Sequence, residues 1–287
     1  MTDSTVSTGT IRAHLDEAER TLDGQSAARL DAEVLLAYAL HSPRAQLYAH
    51  PERVLSTEQS AAFKKLINRR AQGVPVAYLV GEREFWSLPL KVTSAVLIPR
   101  PETERLVELA LEKIPPGSPW RVADLGTGSG AIALALATER PECEIHAVDC
   151  DANALAVATE NAARLQLRNI SLHLGSWCTP LQGHFEVLVT NPPYVESSDA
   201  HLQQGDCRFE PRIALSPGPD GLSAFREVIR EAKQHLAPGG WLFLEHGPQQ
   251  GAAVAGLLRE SAYMHVKTES DLLGHERVTR AQAPPAE

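Results

Sequence analysis

Hydrophobic positions in the first 80 residues recur at helical spacing. Ile11, Leu15, Ala18 and Leu22 stand three to four residues apart and fall on one face. Ser26 is placed to cap a second helix, whose apolar run Leu30, Val34, Leu35, Ala37 and Tyr38 continues to Leu40. Pro43 suits the first turn of a short third helix. Ser56 with Gln59 forms a capping-box pattern that opens a fourth helix, ending near Gly73. Pro75 to Leu79 predicts one more turn. Residues 1–80 therefore read as a small helical bundle, with no repeat and no low-complexity tract.

The pattern changes at Gly81. Glu84-Phe85-Trp86 and Leu90-Lys91-Val92 are short, aromatic or β-branched, and separated by Pro89, which predicts a hairpin within a linker of residues 81–100. Over residues 101–287 strand and helix patterns alternate. Pro101–Ile114 predicts a helix, Arg121–Leu125 a strand, Ala131–Thr138 a helix and Glu144–Asp149 a strand. Ala152–Leu165 follows as a helix capped by Asp151. Ile170–Leu174 and Phe185–Thr190 predict strands. Leu222–Leu236 is a helix stopped by Pro238-Gly239-Gly240, then come strand Trp241–Glu245, helix Gly251–Glu260 and strands His265–Thr268 and Arg277–Arg280. This alternation predicts an α/β fold, a doubly wound, mostly parallel sheet with helices on both faces. The Pro- and Ala-rich tail Ala281–Glu287 is expected to fray.

Charge narrows the partners. The chain has 27 Lys plus Arg against 36 Asp plus Glu, a net charge of −9. Residues 1–80 carry 9 of each sign, so the whole deficit lies in the α/β part. Non-specific grip on a nucleic-acid backbone needs clustered Lys and Arg, so direct nucleic-acid binding is not expected. Cys143, Cys150, Cys178 and Cys207 show neither CxxC pairing nor a His partner at metal spacing, so free thiols and no metal are expected. Met1–Thr10 lacks the charged and apolar regions of a secretion signal, and no apolar run approaches membrane-spanning length. A cytoplasmic monomer is expected.

Three constellations carry candidate chemistry. Asp124-Leu125-Gly126-Thr127-Gly128-Ser129-Gly130 leaves a strand and enters a helix. Its glycines allow close backbone approach to a ligand, and the helix amides favour an anionic group. The spacing is G-x-G-x-G, not that of dinucleotide sites. Asp149 ends the next strand, where a carboxylate can accept both ribose hydroxyls of a nucleoside. Asp151 serves as the helix cap, which leaves Asp149 free for that role. Asn191-Pro192-Pro193-Tyr194 follows the buried-looking strand Phe185–Thr190. Proline has a fixed φ and no N–H, so the Asn191 side chain and the Pro192 carbonyl form a rigid pair of acceptors. Two acceptors suit a planar NH2 group, and Tyr194 offers it an aromatic wall.

DLGTGSG, the Asp after the second strand and NPPY, in this order, resemble class I S-adenosylmethionine-dependent methyltransferases acting on planar nitrogens. The flanks Glu84 to Leu90 (EFWSLPL), Leu97 to Glu104 (LIPRPETE), His201 to Asp206 (HLQQGD), Arg208 to Pro211 (RFEP) and Leu244 to Gly247 (LEHG) resemble the HemK/PrmC family. Those enzymes methylate the glutamine of the GGQ motif in peptide-chain release factors. The resemblance implies a seven-stranded class I sheet, S-adenosylmethionine as cofactor and release factors as protein substrates. It places Gly126, Thr127, Gly128, Ser129 and Gly130 along the methionine part of the cofactor and Asp149 at the ribose. Trp177 falls at the adenine pocket, although Ser176 stands where the family often has Asp. Asn191 touches cofactor and substrate, and Asn191, Pro192, Pro193 and Tyr194 hold the glutamine. The alternatives with the same NPPY chemistry are a ribosomal-protein glutamine methyltransferase and a DNA or RNA amino-methyltransferase. The helical bundle is expected to dock the protein substrate. His246 is read as a satisfied structural histidine. Lys64, Lys65, Arg69 and Arg70 form a basic run on one helix, ordinarily a solvated face.

Overall fold

The computed structural model describes residues 9–24 and 27–285. The chain divides into two units at Gly81/Glu82.

The first unit holds α1 (Ile11–Thr21), α2 (Ala28–Ala39), α3 (Ala45–Ala49), α4 (Thr57–Ala71) and α5 (Val76–Val80). Thr10 caps α1 by accepting from the Ala13 N–H at 3.2 Å. Both reciprocal bonds of the Ser56–Gln59 capping box form. Gly81, at φ 80°, ends α5 in the left-handed conformation that glycine adopts without strain. Ser26, the expected cap of α2, lies outside the described residues. Ile11, Leu15, Leu22, Leu35, Leu36, Phe63 and Ile67 form the core. Leu30 and Tyr38 do not join it and are exposed, because α2 turns Ala32, Leu35 and Leu36 inward instead. In the basic run, Arg70 pairs with Asp31 at 2.7 Å and Lys64 lies 3.8 Å from Glu17.

The second unit opens with the antiparallel hairpin β1 (Glu82–Phe85) and β2 (Leu88–Lys91). Its turn is Trp86-Ser87, both at positive φ, so the strands are offset from the sequence expectation. Pro89 lies inside β2 opposite Glu84, a position that a two-stranded ribbon tolerates. A 3-10 turn at Pro101–Thr103 precedes α6 (Glu104–Leu111).

There follow β3 (Arg121–Leu125), α7 (Ala131–Glu139), β4 (Glu144–Asp149), α8 (Ala152–Arg164), β5 (Ile170–Leu174) and β6 (Phe185–Thr190). The short α9 (Arg212–Leu215), α10 (Ser223–His235), β7 (Leu236–Glu245), α11 (Gly251–Glu260), β8 (Met264–Ser270) and β9 (Glu276–Gln282) complete it. The seven strands lie in the order β5-β4-β3-β6-β7-β9-β8. The first five are parallel, and β9 and β8 are added antiparallel. Alternation along β3 sends Val122 to one core, with Leu106, Leu134 and Val187, and Ala123 and Leu125 to the other, with Phe225, Val228 and Leu258. Order reverses at β3, between β4 and β6, and ligands of open α/β sheets bind outside the carboxyl ends of strands at such a switch point.

Strand β7 and the tail also differ from the sequence expectation. Strand β7 begins at Leu236, before Pro238-Gly239-Gly240, with a register shift against β6. A Cβ at Gly240 would sit 2.9 Å from the Ala237 carbonyl oxygen, so the irregularity needs glycine there. The tail does not fray from Ala281: Ala281 and Ala283 are buried, and the Ala283 N–H donates to the Gly240 carbonyl at 2.8 Å. Among the described residues, no helix is long and apolar enough to cross a membrane.

Candidate active site

The glycine turn between β3 and α7 takes positive φ at Gly126 (76°), Gly128 (56°) and Gly130 (87°). The three serve different ends. A Cβ at Gly128 would meet nothing within 4 Å and would project into open space, whereas one at Gly130 would lie 2.9 Å from Leu134 Cδ1. Gly128 thus leaves room for a ligand, Gly126 lies against the Trp177 ring, and Gly130 lets α7 and α8 pack closely. Thr127 and Ser129 are buried. The Thr127 hydroxyl donates to Asp124 Oδ2 at 2.7 Å, and the Ser129 carbonyl accepts from Asn161 Nδ2 at 2.9 Å. Asp124 Oδ2 also accepts the Ala133 N–H in the first turn of α7. Burial pushes the Asp124 carboxyl up to about 7. Asp124 and Asn161 brace the turn from behind.

In front of the turn lies a cavity of about 260 Å3 whose lining includes Gly126, Gly128, Asp149, Trp177, Asn191 and Pro193. The structure thus brings together residues from the ends of β3, β4, β5 and β6. Asp149 is not free of backbone duty. Its Oδ2 accepts from the Gly128 N–H at 2.8 Å and its Oδ1 from the Asp151 N–H at 2.9 Å. Burial raises its carboxyl above the ordinary range, and these backbone bonds work the other way. Each carboxylate oxygen has two acceptor sites, so capacity for ligand hydroxyls remains. Asp151 caps α8 by accepting the Asn153 N–H at 2.8 Å. The Trp177 ring approaches Gly126, where a Cβ would lie 3.5 Å from its Cζ3, and its indole N–H donates to Glu227 at 3.0 Å. Ser176 is exposed and lines the cavity.

The NPPY segment leaves β6 beyond Thr190, whose hydroxyl donates to the Leu125 carbonyl. Asn191 and Pro193 reach the cavity; Pro192 is buried, and Tyr194 is not part of the lining. Asn191 Nδ2 donates to Thr103 Oγ1 at 3.3 Å. The Tyr194 N–H donates to the Leu215 carbonyl at 3.2 Å, and its carbonyl accepts from Gln250 Nε2 at 3.0 Å. Gly221 admits this approach, since a Cβ there would lie 2.5 Å from the Tyr194 oxygen. Burial pushes the Tyr194 phenol above its ordinary range, and Glu245 pushes it the same way. Across the cavity, Glu210 accepts from the Ile98 N–H at 3.0 Å and from the Arg100 guanidinium. That bridge fastens two lining segments, Ala95–Leu97 and Pro211–Ala214. His246 is enclosed, with Nδ1 against the Gly247 carbonyl and Nε2 against Thr279 Oγ1, each at 2.9 Å. Burial lowers its pKa, so it is a neutral structural ring.

Thr103, Glu210, Gly221 and Gln250 carried no assigned role in the sequence reading. Thr103 and Glu210 lay within quoted family flanks; nothing local marked what they would touch. The donor set fits a nucleoside bearing an amino-acid arm: a carboxylate with spare acceptor sites, a flat indole and an open glycine.

Among known proteins, the PrmC N-terminal domain matches residues 13–81 and the methyltransferase small domain matches residues 104–206. The chain is 48% identical over 272 residues to the release factor glutamine methyltransferase of Salmonella typhimurium, covering 94% of this chain and 98% of that one. It is 49% identical over 257 residues to the release factor glutamine methyltransferase of Xylella fastidiosa strain Temecula1, covering 89% and 94%. A crystal structure of a methyltransferase from Pyrococcus furiosus superposes with a TM-score of 0.53 over 76% of this chain and 99% of that one. At 18% identity that is a likeness of fold.

Proposed function

The chain belongs to the release factor glutamine methyltransferase family, and from that premise we propose that Asn191 and Pro192 hold the reacting amide while Asp149 and Trp177 hold the cofactor. The enzyme is a protein-(glutamine-N5) methyltransferase whose substrate is the glutamine of the release-factor GGQ motif. S-adenosylmethionine supplies an electrophilic methyl on a sulfonium. The chain must overcome the low nucleophilicity of an amide, whose nitrogen lone pair is delocalised into its carbonyl.

One observation carries the reading. Asn191 lines the cavity with Gly126, Gly128 and Asp149 and donates one amide N–H to Thr103, which leaves its carbonyl oxygen available as an acceptor. That oxygen and the Pro192 carbonyl accept the two N–H donors of the glutamine and stabilise positive charge growing on nitrogen. Holding the group in place removes much of the entropic barrier. Tyr194 lies outside the cavity lining and anchors the segment from behind, its carbonyl held by Gln250 Nε2. No strong base is required before transfer, because the N–H acidifies once the nitrogen is alkylated. The helical unit docks the release factor, since a single glutamine side chain is too small to identify one protein.

Asn191→Ala is expected to lower transfer to release factor by about 10²–10³-fold while the protein stays folded. More than half the wild-type rate would overturn the assignment. Offering release factor, ribosomal protein and DNA separately in a methyl-transfer assay separates the substrate classes. Asp149→Ala is expected to weaken S-adenosylmethionine binding by about 10–100-fold, the range for a hydrogen bond to a charged group. Its maximal rate should fall less, because the ribose is remote from the reacting methyl. Calorimetry giving wild-type affinity would contradict the ribose role.

A further inference from the structure

The turn joining β8 to β9 leaves two leucines in water: Leu272 is 96% exposed and Leu273 83%. The backbone that carries them is firmly built. The Asp271 N–H donates to the His275 carbonyl at 2.8 Å. Asp271 Oδ1 accepts from the Leu273 and His275 N–H groups, each at 2.9 Å, and Oδ2 accepts from Arg277 Nε at 3.3 Å. Gly274 takes a φ of 85°, which glycine adopts without strain. Arg105 of α6 donates to the Ser270 carbonyl at 3.3 Å and ties down the base of the turn.

Strand register puts this tip at the edge where the chemistry lies. Thr190 of β6 pairs with Leu244 of β7, and Glu245 with Val278 of β9, so Asn191 leaves the sheet at the row of Glu245 and Val278. The β8–β9 ribbon runs on past that row: Ser270 pairs with Glu276, and the turn lies beyond. At about 3.3 Å per residue and 4.8 Å per strand, the tip stands roughly 7 Å or more above the row and about 10–14 Å to the side of β6. Exposed apolar side chains gather at this edge. Among the described residues the α/β unit has five large ones. Leu174 ends β5, Ile213 lines the cavity, and Leu272 and Leu273 form the tip; Met264, at the start of β8, stands at the opposite edge.

Resting on the placement of the reacting glutamine at Asn191, we propose that Leu272 and Leu273 are a docking tip for the release factor, seated on an apolar patch beside its GGQ motif. Asn191 follows the carboxyl end of β6, so a glutamine borne on a folded protein approaches over that edge. A domain of about 100 residues has a radius of gyration of about 13 Å, so a body that reaches Asn191 also covers the tip. Two leucines on a pre-formed turn bury apolar area at little cost in ordering. The cavity residues come from β3, β4 and β5 on one side of β6, and the tip lies on the other side, beyond β7. The tip therefore reads the protein substrate and leaves the cofactor alone.

The test uses the full-length enzyme with Leu272→Ser/Leu273→Ser and, as the apolar counterpart, Leu272→Met/Leu273→Met, with kcat and KM measured for release factor. Both side chains sit in water, so the unfolding midpoint and S-adenosylmethionine affinity of the serine pair should match wild type. Its KM is expected to rise about tenfold or more, as when interface anchors are truncated. Its kcat should stay within about twofold, because the contact is the same in ground and transition states. The methionine pair should bring KM back to within about twofold of wild type. Wild-type KM in the serine pair overturns the docking role. So does an equal rise in the methionine pair, or a loss of kcat at unchanged KM. An enzyme that sediments as a dimer and becomes a monomer in the serine pair, with KM unmoved, assigns the tip to a second copy and overturns the role as well. Should the serine pair disturb cofactor affinity, Leu272→Ser decides alone: a KM about threefold higher or more supports the tip, and wild-type KM overturns it. Wild-type rate in Asn191→Ala instead overturns the placement of the glutamine, so the two failures are distinguishable.

Discussion

Glu33 in the helical unit and Glu245 in the α/β unit are exposed to only 4% and 0%, yet their surroundings differ. Burial pushes the Glu33 carboxyl up, but hydrogen bonds from Tyr48, Arg29 and Arg44 together hold it below the ordinary carboxylate range. Burial pushes Glu245 up to about 8, with Glu102 adding to the rise and only Thr103, Arg277 and Arg100 opposing it. The helical unit surrounds its buried charge with donors. The α/β unit leaves its buried acid without an ion pair, beside the residues that must orient an amide. Of these two buried acids, the one far from the chemistry is fully partnered and the one beside it makes no hydrogen bond among the described residues.

The largest effect that sharpens this contrast is the pH dependence of Glu245. Its folded pKa lies near 8 against an ordinary 4.5, so between those values the folded state keeps a proton that the unfolded state releases. Its contribution to stability is whole below pH 4.5 and is lost as pH rises through that window, by a few kcal/mol. Glu245→Gln has no proton to lose. Its denaturant midpoint for the α/β unit should match wild type near pH 5 and exceed it near pH 8. Parallel profiles for the two proteins would show that Glu245 is not held protonated, and the contrast with Glu33 would collapse.

Next in size is separability. A chain beginning at Gly81 keeps every residue that lines the cavity. It should still bind S-adenosylmethionine, which also serves as the control for folding. Its kcat/KM for full-length release factor should fall by about 100-fold or more, corresponding to about 2.7 kcal/mol of lost docking energy. Unchanged kcat/KM would make the helices a structural appendage.

The same contrast explains what could be read from the sequence. The Ser56–Gln59 capping box, the Asp151 cap, the glycine turn and the end of β4 are written in neighbouring residues, and their positions follow from local geometry. NPPY was legible because proline restricts its own backbone. The supports of NPPY were not legible. Asn191 meets Thr103 across 88 residues, Tyr194 meets Gln250 across 56, and Ile98 meets Glu210 across 112. No spacing rule spans such distances; the sheet order alone brings these side chains together. The backbone bonds of Asp149 were not legible for a related reason. Its bond to the Gly128 N–H depends on β3 and β4 being neighbours. The hairpin was offset because its positive-φ turn is Trp86-Ser87, without the Gly or Asn that marks such turns.

The smallest effect concerns Glu33 itself. Its carboxyl is held below the ordinary value, so the sign is opposite to that of Glu245. Its contribution is present above the unfolded pKa and is lost as pH falls through the folded one. Arg29 and Arg44 are 38% and 45% exposed and regain water when the partner is removed, so the loss is screened. Glu33→Gln should therefore cost only about 1 kcal/mol at pH 7, and less as the pH falls below the ordinary carboxylate range. Because the chain has two units, one unfolding midpoint would blur the effect. Amide hydrogen exchange in α1 and α2 reads it locally, and at pH 7 protection there should fall about fivefold, with exchange in β3 to β7 unchanged. Affinity for S-adenosylmethionine should not move, since none of Glu33, Arg29, Arg44 and Tyr48 lines the cavity. Protection equal to wild type at pH 7 would mean that the three partners add nothing beyond what water gives. A weakened cofactor affinity would mean that the helical unit is coupled to the chemistry, and the two buried glutamates would no longer belong to separate problems.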